Sequence, residues 1–205
     1  AVEAEGWIME RDPSKTTGLV EWYSESKWKQ SIDMVVWLED NWGKMFDAVA
    51  QNIAPYNDQG LSLPTTGCDA CSNKTSCGCT AEQYALYSYS SLALAINSSK
   101  NYLNLGHYNA TFAQNLFGTS LGSPLGKYYK IGTGVYARNF SKVKVLVNPT
   151  NTTYTVSLDG TYTTFDGRSV TNSITMHRHS GEILFKTTPI TCSCTSWTNG
   201  ACGGS

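Results

Sequence analysis

Glu10 ends the run Gly6-Trp-Ile-Met-Glu and is followed at once by Arg11, Asp12 and Pro13. A carboxylate therefore stands where an extended segment breaks into a loop. A carboxyl group partly shielded from water keeps its proton to higher pH and can donate it as a general acid. The plainer role for Glu10 is a contact with the loop or with Arg11. Asp12, Glu21 and Glu25 follow in or after the same loop and read first as surface charge. Gln51 and Asn52 close a second extended segment and are amides suited to binding hydroxyl groups. His107 and Tyr108 follow a third, where a lone histidine is more often structural. Cys68, Cys71, Cys77 and Cys79 have spacing open to a four-thiolate zinc site or to disulfides. Their loop setting, the neighbouring Asn73 sequon and a second cysteine cluster favour two disulfides, with Cys77 and Cys79 each pairing with Cys68 or Cys71. No cysteine–histidine arrangement marks a thiol nucleophile, and no metal or cofactor is implied.

The elements that must position these groups follow from periodicity. Residues 6–10, 44–52 and 101–105 read as strands, with helices over 21–42, 80–96 and 112–117, the alternation of a parallel α/β fold. The first helix carries Trp28, Ile32, Val35, Val36 and Glu39 at helical spacing, apolar except at its last position, and Gly43 is a natural stop. Thr80 and Gln83 form a capping box for the second, whose stripe is Ala85, Tyr89, Leu92, Ala93 and Ile96. Residues 118–134 read as a Gly/Pro-containing linker. Beyond them the period changes to two: Val143, Val145 and Val147 alternate with Lys142, Lys144 and Leu146. Asp159-Gly160, Asp166-Gly167 and Ser180-Gly181 are turn signals, and the segment reads as a small antiparallel β-sandwich. The expected divisions are 1–132, 133–188 and 189–205.

Bulk properties exclude some functions. Lys and Arg number 15 against 16 Asp and Glu, a net charge of -1, which argues against a phosphate-backbone partner, since that would need a basic face. No apolar run reaches the roughly 20 residues of a membrane span. Seven cysteines and sequons at Asn73, Asn97, Asn109, Asn139 and Asn151 point to an oxidising, extracellular or cell-surface setting. Residues 1–6 lack the features of a signal peptide, which suits a mature chain or, the favoured expectation, a fragment.

Four runs resemble a known family: Gly134-Val-Tyr-Ala-Arg-Asn-Phe-Ser, Val145-Leu-Val-Asn-Pro-Thr, Leu158-Asp-Gly-Thr-Tyr and Ser180-Gly-Glu-Ile-Leu. They are similar to the β-domain that closes a family of barrel-fold glycoside hydrolase-like proteins. Gly6-Trp-Ile-Met-Glu, the run from Tyr84 to Ile96 and Tyr102-Leu-Asn-Leu resemble the last three strand–helix units of that family's barrel. The resemblance spans about residues 6–186. The tail Cys192-Ser-Cys-Thr-Ser-Trp-Thr-Asn-Gly-Ala-Cys-Gly-Gly resembles the opening of a thrombospondin type-1-like repeat and stops before most of that repeat's cysteines.

The resemblance implies a fold: the C-terminal part of a (β/α)8 barrel followed by the β-domain, cut short at both ends. Barrel chemistry sits at the C-terminal ends of the strands, which makes Glu10 the candidate acid for cleaving a glycosidic bond, whereas Asp47 lies deeper and reads as a pore or ladder residue. Glycosidases of this type use a pair of carboxylates, and the partner of Glu10 is expected on a strand outside this sequence. Asp12, Trp22, Gln51, Asn52 and His107 are the candidate substrate-binding residues, although Trp22 at a helix start reads first as core. The implied function is a secreted glycoside hydrolase acting on polysaccharide by carboxylate acid–base chemistry. The alternative is a non-enzymatic cell-surface carbohydrate-binding or adhesion protein with the barrel as scaffold. In either case a cell-surface or matrix partner is expected at the C-terminal module.

Overall fold

The computed structural model describes residues 2–5, 9–11, 20–42, 46–49, 81–97, 102–104 and 110–187. Three short strands, β1 (Val2–Glu5), β4 (Phe46–Val49) and β5 (Tyr102–Asn104), form a parallel sheet in the order β1-β4-β5. Between β1 and β4 lie a two-stranded antiparallel ribbon, β2 (Met9–Arg11) with β3 (Val20–Trp22), and helix α1 (Glu25–Trp42). Helix α2 (Ala81–Ala95) lies between β4 and β5, and α3 (Ala110–Phe117) follows β5. The strand–helix alternation is as expected. Its first strand is not: the parallel strand is Val2–Glu5, and Met9–Arg11 belongs to the ribbon. With three parallel strands among the described residues, the sheet is an open α/β fragment and not a closed barrel.

Ser24 explains why α1 starts later than its periodicity implied. Its hydroxyl accepts from the Lys27 amide at 3.2 Å and its carbonyl from the Trp28 amide at 2.9 Å, an N-cap that leaves residues 20–22 free to pair as a strand. Trp28, Ile32, Val35 and Leu38 form the buried stripe of α1, with Val36 and Glu39 at its margin. Helix α2 is buried on nearly every side: Tyr84, Ala85, Tyr87 and the run from Ser90 to Ala95 are all inaccessible. Its serines and alanines let neighbours approach closely. The Trp28 indole N–H donates to the Ser91 hydroxyl at 3.0 Å.

The antiparallel region is one curled sheet of six strands. They are β6 (Tyr129–Ile131), β7 (Val135–Asn139), β8 (Val143–Asn148), β9 (Tyr154–Thr163), β10 (Ser169–Met176) and β11 (Ser180–Lys186), in the order β10-β9-β11-β8-β7-β6. This corrects the two-sheet sandwich. Val143, Val145, Val147 and Ile183 enter one core with Trp28, Tyr84 and Tyr87 of the helices. On the opposite face Ala137, Leu146 and Leu184 meet Val156, Ile174 and Met176 of the same sheet. The helices and the sheet's own curl do the work of a second layer.

Two turn signals are also corrected. Asp159-Gly160 lies inside β9, opposite a register shift at Asn172. There Asp159 accepts from Lys144 Nζ and from the Tyr162 hydroxyl, each at 2.6 Å. Ser180-Gly181 opens β11, and the bend falls just before it, at His179 with φ 45°. Gly181 is needed for packing: a Cβ there would sit 2.7 Å from Ser90 Cβ and 2.8 Å from the Leu86 carbonyl. Asp166-Gly167 is a turn as expected, with Gly167 at φ 86°. Residues 118–134, read as a linker, contribute β6.

The disulfide reading is corrected as well. No disulfide occurs among the described residues, and all seven cysteines lie outside them. The thrombospondin-like tail lies outside them too. No described helix is long and apolar enough to cross a membrane.

Candidate functional site

Strand register decides which residues of the parallel sheet share a face. Glu3 pairs with Asp47 and Asp47 with Tyr102, while Glu5 pairs with Val49 and Val49 with Asn104. Paired residues of parallel strands share a face, and so do residues two apart on one strand. One face therefore collects Glu3, Glu5, Asp47, Val49, Tyr102 and Asn104, and the other Val2, Ala4, Phe46, Ala48 and Leu103. The second set is wholly apolar, the composition a helix-covered face requires. The first holds three carboxylates, a phenol and an amide. The strand order advances in one direction, so right-handed crossovers place α1 and α2 on the same face of the sheet.

Glu5, Val49 and Asn104 are the C-terminal residues of their strands, the end where parallel α/β folds carry their chemistry. Asp47 lies two residues deeper, in register with Glu3. Glu3 and Glu5 were missed because the run 6–10 is richer in strand-forming residues than Val-Glu-Ala-Glu. The signal that could have found them is the strict alternation of those four residues.

Glu10 lies in β2, opposite Glu21 of β3, so it is the middle residue of a ribbon strand and not the last residue of a parallel one. Trp22, at the end of β3, is half-buried and stacks on His179 with ring centroids 4.8 Å apart and planes 3° from parallel. Tyr87 meets it edge-on at 5.3 Å. Asp12, Gln51, Asn52 and His107 lie outside the described residues.

The described side chains build a second polar site that sequence reasoning did not find. A cavity of about 460 Å³ lies between the N-terminal half of α2, Trp22, Phe112 and the turns at both ends of β10. Glu182 lines it and is buried; its Oε1 accepts from the Phe165 amide at 3.1 Å and the Ile183 amide at 3.0 Å. Burial outweighs these bonds and the Arg168 guanidinium 3.7 Å away, pushing the carboxyl up to about 7. His179, also buried, shares Nε2 with Asn151 Oδ1 at 2.6 Å. An amide oxygen only accepts, so Nε2 carries the proton and Nδ1 is a bare acceptor. Burial, helped by the Arg178 charge, lowers this imidazole to about 4. No group of ligating residues able to hold a metal occurs among the described residues. These residues come from β3, α2, α3, β10, β11 and the turns at both ends of β10, so only the folded chain brings them together.

No family model matches the chain, and no curated protein matches it. Partial similarity to solved structures exists. A hypothetical maltooligosyl trehalose synthase from Sulfolobus tokodaii aligns with a TM-score of 0.35 and 15% identity, over 51% of this chain and 20% of that one. A GH42 beta-galactosidase aligns with a TM-score of 0.23 and 15% identity, over 43% of this chain and 14% of that one. The chain thus spans a fifth or less of the length of either protein.

Proposed function

We propose that this protein is a secreted glycoside hydrolase-like protein that acts on polysaccharide through carboxylate acid–base chemistry. The reading rests on one observation: strand register gathers Glu3, Glu5 and Asp47 on a single face of a parallel sheet, with Glu5 at its C-terminal end. The one-directional strand order also favours the last units of a (β/α)8 barrel over a sheet with helices on both faces.

Glycosidic cleavage needs one carboxylic acid to protonate the departing oxygen and a second carboxylate to attack the sugar carbon or activate water. One strand across and two residues along separates Glu5 from Asp47 by roughly 8 Å between Cα atoms, from ordinary strand spacings. Paired carboxyls in such enzymes lie ~5–9.5 Å apart, a span that side chains on adjacent strands can reach. Glu5 takes the role of acid, with Glu3 or Asp47 as its partner. Glu10, in the ribbon that follows β1, is the other candidate acid. Tyr102 and Asn104 on the same face supply groups that hydrogen-bond sugar hydroxyls. This chemistry requires no cofactor.

The test is incubation of the full chain with a panel of plant, microbial and animal polysaccharides, assayed for new reducing ends. Release from at least one polymer supports the proposal. Binding to polymers with no cleavage of any of them would favour the adhesion-scaffold reading instead.

A further inference from the structure

We infer that the cavity beside Glu182 is a second binding site, built for a neutral sugar ring and separate from the carboxylate face of the parallel sheet. Its size falls in the range of small-molecule sites, roughly 300–1,000 Å³. Its walls interleave apolar side chains such as Phe112, Phe165 and Met176 with polar ones. A pyranose has the same mixed character, with C–H faces bordered by hydroxyls.

Unused hydrogen-bonding groups point the same way. Trp22 Nε1, a donor, and Nδ1 of His177 and of His179 are buried without partners among the described residues. Buried polar groups are rarely left unpaired, because each costs free energy comparable to a lost hydrogen bond. An indole donor beside ring nitrogens suits hydroxyls, which donate and accept at once.

Charge excludes an anionic ligand. Arg168 and Arg178 line the cavity together with Glu82 and Asp166, so two cations balance two anions. Arg168 is already bonded to Asp166 at 2.7 Å, and Arg178 is engaged elsewhere in the structure. With its carboxyl pushed up to about 7, Glu182 is present in both forms near neutral pH, and its protonated form can donate to a ligand oxygen. A phosphate or a sulfate finds no surplus positive charge here.

The inference does not depend on hydrolysis at Glu5, and the two fail separately: this one on equilibrium binding, the other on turnover. The full chain is titrated calorimetrically with methyl β-glucoside, methyl β-galactoside, N-acetylglucosamine and cellobiose, and with glucuronate and inorganic phosphate as charged controls. At least one neutral sugar binds, more tightly than either control. Thr175→Trp, at an exposed position on the cavity wall, weakens that binding by about tenfold or more, as does Glu182→Leu. Glu182→Gln changes it by less than about threefold, because the amide still donates and accepts. The inference is overturned if none of the four sugars binds, if a control binds more tightly, or if Thr175→Trp leaves affinity unchanged. The exposed site of Thr175 keeps the test valid should Glu182→Leu fail to fold.

Discussion

The Arg138 guanidinium donates from Nη1 to the Ile96 carbonyl at 2.8 Å, and the same nitrogen reaches the Leu94 carbonyl at 3.0 Å and the Ala93 carbonyl at 3.3 Å. Its Nε donates to the Gly126 carbonyl at 2.9 Å, and Nη2 bonds Asn97 Oδ1. Carbonyls of the last helical turn have no partner within the helix and carry the negative end of its dipole. Arg138, on β7 and only 3% exposed, satisfies them for α2 and ties that helix to the sheet. Arg138→Met leaves these carbonyls buried and unpaired, and the expected loss is about 3 kcal/mol in urea unfolding. Arg138→Lys recovers less than half of it, because an ammonium cannot present the planar fork of donors.

Gly181→Ala drives a methyl group into Ser90 and the Leu86 carbonyl of α2. Since a backbone oxygen cannot turn aside, the helix must lift from β11. The expected cost is about 1–3 kcal/mol, read as a lower thermal midpoint. Gly167→Ala makes the control: it meets no atom within 4 Å, so its penalty is that of the positive φ alone.

Glu182 and His179 make opposite contributions to stability as pH changes. The Glu182 carboxyl rises from 4.5 unfolded to about 7 folded, so its contribution is complete below 4.5 and is lost as pH rises through 7. The His179 imidazole falls from 6.5 to about 4, so its contribution is complete above 6.5 and is lost as pH falls through 4. Between pH 4.5 and 6.5 the two slopes, each about 1.4 kcal/mol per pH unit, cancel. Replacing either residue exposes the slope of the other. Denaturant titrations across this range should show Glu182→Gln gaining stability relative to wild type as pH rises. His179→Gln should lose it. Parallel curves for all three proteins would contradict both assignments.

Local patterns carried most of the fold, and contacts between distant residues decided the rest. The stripe from Trp28 to Val35 is set by one buried face and Val143, Val145 and Val147 by one core, so the sequence displays both directly. Asp159-Gly160 has the composition of a turn, yet Lys144 and Tyr162 hold Asp159 inside β9, and neither bond is visible locally. Ser180-Gly181 looked like a turn because glycine usually marks one, whereas here it makes room for α2. The site was less legible. Glu3 and Glu5 share a face with Asp47 through the pairing of β1 with β4, and Glu182 meets Trp22 and Phe112 only in the folded cavity.

The central claim is that a carboxyl at the C-terminal end of β1 donates the proton that releases the sugar leaving group. Its most direct measurement is turnover of a cleaved polysaccharide by the Glu5→Gln full chain, with Glu10→Gln in parallel and glycan affinity measured for each. An amide keeps the shape of the side chain but has no proton to give. Glu5→Gln should lower kcat by about 10²–10⁴-fold, the usual contribution of a general acid, while glycan affinity stays within about threefold. If turnover falls for Glu10→Gln and not for Glu5→Gln, the acid belongs to the ribbon. Wild-type turnover in both variants would contradict the account.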